Sequence, residues 1–102
     1  MKTVGINGFG RIGRTLTRLL IQNQNFEVAL VNDVADIETL AHLLKYDIVH
    51  GIFQVSFEIK GSSLVFENGK TITFVSEKDP AQIPWKEWEV DVVLECTGAF
   101  KH

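Results

Sequence analysis

Thr3-Val4-Gly5-Ile6-Asn7-Gly8-Phe9-Gly10-Arg11-Ile12-Gly13 is the stretch on which the reading of this chain turns. A short β-branched run leads into a glycine-rich turn, and the turn leads into residues of helical period. The glycines follow the spacing Gly8-x-Gly10-x-x-Gly13. That spacing alone is weak, because glycines recur by chance. It gains meaning where it follows a strand and opens a helix. There Gly8 allows the tight turn, Gly10 lets a pyrophosphate approach the backbone, and Gly13 lets helix and strand pack closely. Unpaired N–H groups and the positive helix end then face the phosphates. The competing reading is an ordinary glycine-rich strand-to-helix turn.

Downstream, Ile12, Leu16, Leu19 and Leu20 recur at helical spacing and predict the buried stripe of a helix that ends at Gln22-Asn23-Gln24-Asn25. Arg14 and Arg18 lie on another face. Phe26 to Val31 is nearly continuously apolar, which suits a strand covered on both sides in a parallel sheet. It ends at Asn32-Asp33. Asp36 is placed to cap a second helix carrying Ile37, Leu40, Ala41 and Leu44. Strand, helix, strand, helix is the order of a doubly wound α/β fold. Asp33 stands 25 residues after Gly8, at the end of the second strand. There a carboxylate can accept both ribose hydroxyls of an adenosine and opposes a 2′-phosphate, which favours NAD over NADP. A solvated strand-end Asp is the alternative.

Between Val55 and Val75 the pattern alternates. Asn68-Gly69 between Leu64-Val65-Phe66 and Thr71-Ile72-Thr73-Phe74 predicts a hairpin with a type I′ turn, in which both central residues have positive φ. Asp79-Pro80 and Ile83-Pro84 mark a turn-rich connection, with Trp85 and Trp88 read as core. Val90 to Glu95 reads as a further sheet strand, ending at Cys96-Thr97-Gly98. A dinucleotide-binding domain continues past such a turn into more strands, so residues 1–102 read as an incomplete domain.

The 102 residues are enough for one core of ordinary size, with about 65% of the unfolded surface buried. Hydrophobic residues make up 45%, which argues against disorder. Ten basic and thirteen acidic residues give a net charge of −3 and no basic face, which weighs against a nucleic-acid binder. No apolar run is long enough for a membrane helix. A lone cysteine, Cys96, forms no internal disulfide or multi-cysteine metal site. These features point to a cytoplasmic protein. Nucleophilic catalysis needs a base within hydrogen-bond reach. Spacing ties none of His42, His50 and His102 to Cys96, so the thiol reads as structural or cofactor-adjacent.

The segment Val4 to Arg14 resembles the N-terminal signature of the glyceraldehyde-3-phosphate dehydrogenase family. Val31-Asn32-Asp33, Leu40 to Asp47, His50-Gly51, Asp79-Pro80, Pro84-Trp85 and Glu95-Cys96-Thr97-Gly98-Ala99-Phe100 continue the likeness in register. It covers essentially the whole chain and about the first third of the family's length. It implies that Asn7, Gly8, Phe9, Gly10, Arg11, Ile12 and Gly13 line the dinucleotide, and that Asn32 and Asp33 hold the adenosine ribose. It also implies that Lys78 lies near the adenine end, that Cys96, Thr97 and Gly98 pass beside the cofactor, and that Phe100 walls the adenine pocket. The parent enzyme would oxidise and phosphorylate glyceraldehyde 3-phosphate with NAD, as a homo-oligomer, a tetramer in this family. Its catalytic thiol, in a Ser-Cys-Thr-Thr-Asn segment, and its histidine partner have no counterpart here. The sequence departs from the family at Cys96, where Ser or Thr is usual, and at Ile52, where Arg is common. The alternatives are an erythrose-4-phosphate dehydrogenase, which commonly has Glu at the Asp33 position, and a stand-alone dinucleotide-binding or scaffold module.

Overall fold

A computed structural model describes residues 1–47 and 51–97. Among these residues eight strands and two α-helices follow one another as β1 (Lys2–Asn7), α1 (Arg11–Ile21), β2 (Phe26–Asn32), α2 (Ile37–Lys45), β3 (Tyr46–Asp47), β4 (Gly51–Ile52), β5 (Phe57–Lys60), β6 (Ser63–Phe66), β7 (Thr71–Val75) and β8 (Val92–Glu95). A 3-10 turn spans Pro80–Gln82. Six strands form one sheet in the order β5-β6-β7-β2-β1-β8; β3 and β4 pair separately. The run β7-β2-β1-β8 is parallel and β5-β6-β7 is an antiparallel meander. Strands numbered 3-2-1-4 within the parallel part follow the order of the first four strands of a Rossmann-type sheet.

Register decides which side chains meet. Val4 pairs with Val28, but Ile6 pairs with Val31, because a bulge separates the two pairs. The extra residue in β2 lets Val28 and Val31 share one face of the sheet. That face packs with Ile6, Ile72 and Phe74 against Ile21 of α1 and Leu40, Ala41 and Leu44 of α2. On the other face Gly5 lies beneath the Trp85 ring, and a Cβ there would meet ring carbons, the nearer of them Cζ3.

One expectation for α1, one for a turn and one for Trp88 are corrected. The buried face of α1 carries Gly13, Thr17 and Ile21. Ile12 and Leu19 are 68% and 62% exposed, and Leu16 and Leu20 are only half-buried. The helix sits so close to the turn before it that a Cβ on Gly13 would collide with the Gly8 carbonyl oxygen. Only small residues fit beside the turn, at Gly13 and Thr17, so Ile12, Leu16 and Leu19 turn outward and Ile21, two turns further on, is the large side chain of α1 that is buried in the core. The buried Thr17 hydroxyl is satisfied by the Gly13 carbonyl at 2.7 Å.

The Asn68-Gly69 hairpin is present, but only Gly69 has positive φ, at 93°. Gly69 N–H donates to Phe66 O and Phe66 N–H to Lys70 O. This is the three-residue loop in which a turn is followed by a left-handed glycine bulge, not a type I′ turn. Trp88 is also corrected: it is 40% exposed, at a shallow groove beside Thr3 and Glu27, whereas Trp85 is half-buried.

Candidate functional site

The chain runs from β1 outward to β2 and β7, then returns to the opposite side of β1 as β8. In open α/β sheets this reversal leaves a crevice at the carboxyl ends of the strands, where ligands bind. A cavity of about 820 Å³ occupies that place. Asn7, Gly8, Phe9, Gly10, Asn32, Asp33, Lys78, Cys96 and Thr97, all expected at the site, line it together with Val34, Glu77, Pro80 and Glu95.

Its floor is a hydrogen-bonded row. Asn32, Asn7 and Glu95 end neighbouring parallel strands and are direct register partners, so their side chains project on one side. Glu95 accepts from Asn7 Nδ2 at 2.9 and 3.2 Å, and Asn7 Oδ1 accepts from Asn32 Nδ2 at 2.9 Å. Asn32 also donates to Glu77 O at 3.1 Å and accepts from Glu77 N–H at 2.8 Å. Both amide protons of Asn32 are therefore spent inside the protein, and its side chain ties strand ends together.

Above the floor stands the turn. Gly8 has φ 96°, and a Cβ there would lie 2.6 Å from Thr97 Cα and 2.7 Å from the Cys96 carbonyl carbon. Only glycine fits. Phe9 is 1% exposed, with its ring edge-on to Phe74 at 5.3 Å between centroids, so it serves the turn as an apolar anchor. A Cβ at Gly10, by contrast, would find only Cys96 O among the described residues, at 3.9 Å. Gly10 is the N-cap of α1; among the described residues no side chain caps this end, and no acidic residue lies in its first turn. The first helical bond joins Arg14 N–H to Gly10 O, which leaves the N–H groups ahead of it as the orphan donors of a helix start.

Asp33 is half-buried at the rim, with Oδ2 accepting from Phe9 N–H at 2.8 Å and Oδ1 from Ala35 N–H at 3.0 Å. Lys78 is exposed at the same rim. Arg11 and Ile12 are exposed and do not line the cavity, and Gly13 is buried beneath the turn. Gly98 and Phe100 lie outside the described residues. Burial and then the Glu95 charge push the Cys96 thiol above its ordinary pKa. That suppresses the thiolate a nucleophile would need. Reading the sequence missed Glu95 and Glu77. The register of β8 against β1 is what brings Glu95 to Asn7, and nothing in the local sequence announces it.

A parallel sheet of this order, a glycine turn at its switch point, an open helix start and a strand-end carboxylate define a Rossmann-type dinucleotide-binding unit. The family model described as "Glyceraldehyde 3-phosphate dehydrogenase, NAD binding domain" matches residues 2–102. The chain belongs to this family, whose cofactor is NAD. It is 50% identical over 100 residues to "Glyceraldehyde-3-phosphate dehydrogenase 1" of Bacillus cereus, covering 98% of this chain and 30% of that protein. It is 52% identical over 97 residues to the glyceraldehyde-3-phosphate dehydrogenase of Geobacillus stearothermophilus, covering 95% of this chain and 29% of the relative. The cytosolic glyceraldehyde-3-phosphate dehydrogenase of Trypanosoma brucei brucei is 48% identical over the same length, with the same coverage. The chain spans less than a third of the length of these relatives. No helix among the described residues is long and apolar enough to cross a membrane.

Proposed function

We propose that this chain is the NAD-binding part of an enzyme that oxidises and phosphorylates glyceraldehyde 3-phosphate. The carrying observation is the open start of α1, lined up with the glycine turn and with Asp33 on one cavity. Orphan N–H groups and the helix dipole favour a pyrophosphate there. Gly10 gives it room, and Asp33 accepts the hydroxyls of the adenosine ribose. Lys78 and Thr97 flank the same cavity, and Asn7 and Asn32 keep its floor rigid. When bound, NAD accepts a hydride; the residues of this chain bind and orient it.

Cys96 does not serve as the nucleophile of this reaction, since its thiol is half-buried and kept protonated. The nucleophile and base belong to chain outside residues 1–102, so this piece alone turns over no substrate. The whole enzyme works in the cytoplasm as a homotetramer. Asp33 rather than Glu favours this reading over an erythrose-4-phosphate dehydrogenase.

Calorimetric titration of the full-length protein with NAD and with NADP tests the assignment. NAD should bind about tenfold or more tightly than NADP, because the Asp33 carboxylate lies where a 2′-phosphate would approach. Equal affinities would contradict it.

A further inference from the structure

We infer that Asp33 is a positioning residue for the phosphate-binding turn, in addition to being a reader of the ribose. The inference rests on the cofactor reading above and extends it from selectivity to the shape of the turn. Asp33 Oδ2 accepts the Phe9 N–H at 2.8 Å, across 24 residues of sequence. Its other oxygen is held by Ala35 N–H at 3.0 Å, which fixes the plane of the carboxylate.

Phe9 lies between Gly8 and Gly10, the two positions where the backbone is least constrained by its own side chains. It is gripped at every handle it has. Its ring is buried against Phe74. Its carbonyl accepts from Arg14 Nη1 at 3.1 Å. Its N–H goes to Asp33. Gly8 N–H, one residue earlier, is held by Asn32 O at 2.7 Å. A turn of two glycines would otherwise lose considerable backbone entropy when it closed on a phosphate. Holding Phe9 in advance removes part of that cost, so the carboxylate contributes to phosphate affinity without touching the phosphate.

The charge of Asp33 acts in the opposite direction. A carboxylate beside an anion site weakens the anion by Coulomb repulsion, so deleting the charge alone should tighten phosphate binding. Two variants separate the effects. Asp33→Asn removes the charge and keeps an oxygen able to accept from Phe9 N–H. Asp33→Ala removes both.

The test uses the full-length protein and two readouts. The first is amide hydrogen exchange of Phe9 without ligand. Exchange should be about tenfold or more faster in Asp33→Ala than in wild type, with at least partial protection restored in Asp33→Asn. The second is binding of inorganic pyrophosphate, which has no ribose to read. Asp33→Asn should bind it at least as tightly as wild type, and Asp33→Ala about fivefold more weakly than Asp33→Asn. Equal Phe9 exchange in all three proteins overturns the inference. So does pyrophosphate binding in Asp33→Ala that matches or exceeds Asp33→Asn. A wild type that takes NAD but no pyrophosphate at millimolar concentration overturns it as well. If Asp33→Ala does not fold, wild type against Asp33→Asn still decides: an unprotected Phe9 amide in wild type, or weaker pyrophosphate binding in Asp33→Asn, overturns it. Failure of the wild type to bind NAD, with Phe9 still protected, would instead remove the cofactor reading beneath it.

Discussion

The two ends of α1 are treated in opposite ways. At its C-terminal end Asn68 Nδ2 donates to Ile21 O at 3.0 Å. Lys70 Nζ donates to Leu20 O, Asn23 O and Phe26 O at 3.2, 2.6 and 2.9 Å. Both residues come from the β6–β7 hairpin, 47 to 50 positions along the chain from the carbonyls of α1 that they cap. The cation also suits the negative end of the helix dipole. At the N-terminal end, Gly10 has no side chain to offer. Helix α2 is closed at both ends, by Asp36 accepting from Thr39 N–H and by Arg18 donating to Leu44 O and Lys45 O. Where an end needs only to be stable, this fold brings in a side chain from wherever it can. The end beside the cavity has no such cap among the described residues, and it is the end we propose for the anionic part of the cofactor.

The largest effect should come from closing the open end with atoms that do not fit. Gly13→Ala sets a Cβ against the Gly8 carbonyl oxygen, and backbone on both sides leaves little room to relax. Gly8→Ala adds a positive φ to a comparable collision. Each should cost about 3 kcal/mol or more in urea unfolding. A near-wild-type midpoint for either would mean that the helix does not sit as close as described.

Next in size is the closed end. Lys70→Met removes one charged donor from three carbonyls and should cost about 1 to 2 kcal/mol, limited by solvent access to the ammonium. Desolvation holds that ammonium below its ordinary pKa, against the pull of Glu27. NAD affinity should not change, because the lost bonds lie at the other end of the helix. A variant that loses NAD affinity while keeping its stability would reverse the roles assigned to the two ends.

The smallest effect is at the start of α2. Bonds from the Thr39 N–H, and then from the Thr39 side chain, lower the Asp36 carboxyl below its ordinary 3.8. A lowered folded value means the stabilisation is present above the unfolded pKa and is lost as pH falls through the folded one. The melting gap between wild type and Asp36→Ala should therefore be open at neutral pH and close in acid below 3.8. A gap equally wide in acid would show that the cap is not the carboxylate.

What the sequence made legible was local. The tight turn at Gly8, the close helix packing at Gly13 and the place of Asp33 just past β2 could be read because a strand-to-helix turn of this kind needs glycines at fixed spacing. Asp36 could be read because a cap acts three residues away. The buried face of α1 could not, because hydrophobic period assumes the largest side chains face inward. Close packing at Gly13 reverses that here, so Thr17 is buried and Leu19 exposed. The row Glu95–Asn7–Asn32 depends on register between strands up to 88 positions apart, and the Lys70 cap on a hairpin crossing back to α1. Neither leaves a trace in neighbouring residues. Asn68-Gly69 announced a hairpin but not its loop length, since glycine serves both kinds of turn.

Gly10 gives the most direct test, because it separates room for a ligand from room for the fold. Among the described residues a Cβ there meets nothing closer than Cys96 O at 3.9 Å, and its backbone is already one that alanine adopts. Gly10→Ala should therefore leave the unfolding free energy within about 1 kcal/mol of wild type. The same methyl group would stand where the pyrophosphate approaches the turn. Titration of the full-length variant beside wild type should show NAD binding weakened about tenfold or more, with the fold intact. Undiminished NAD affinity in the folded variant would contradict the assignment of this open helix start as the pyrophosphate site.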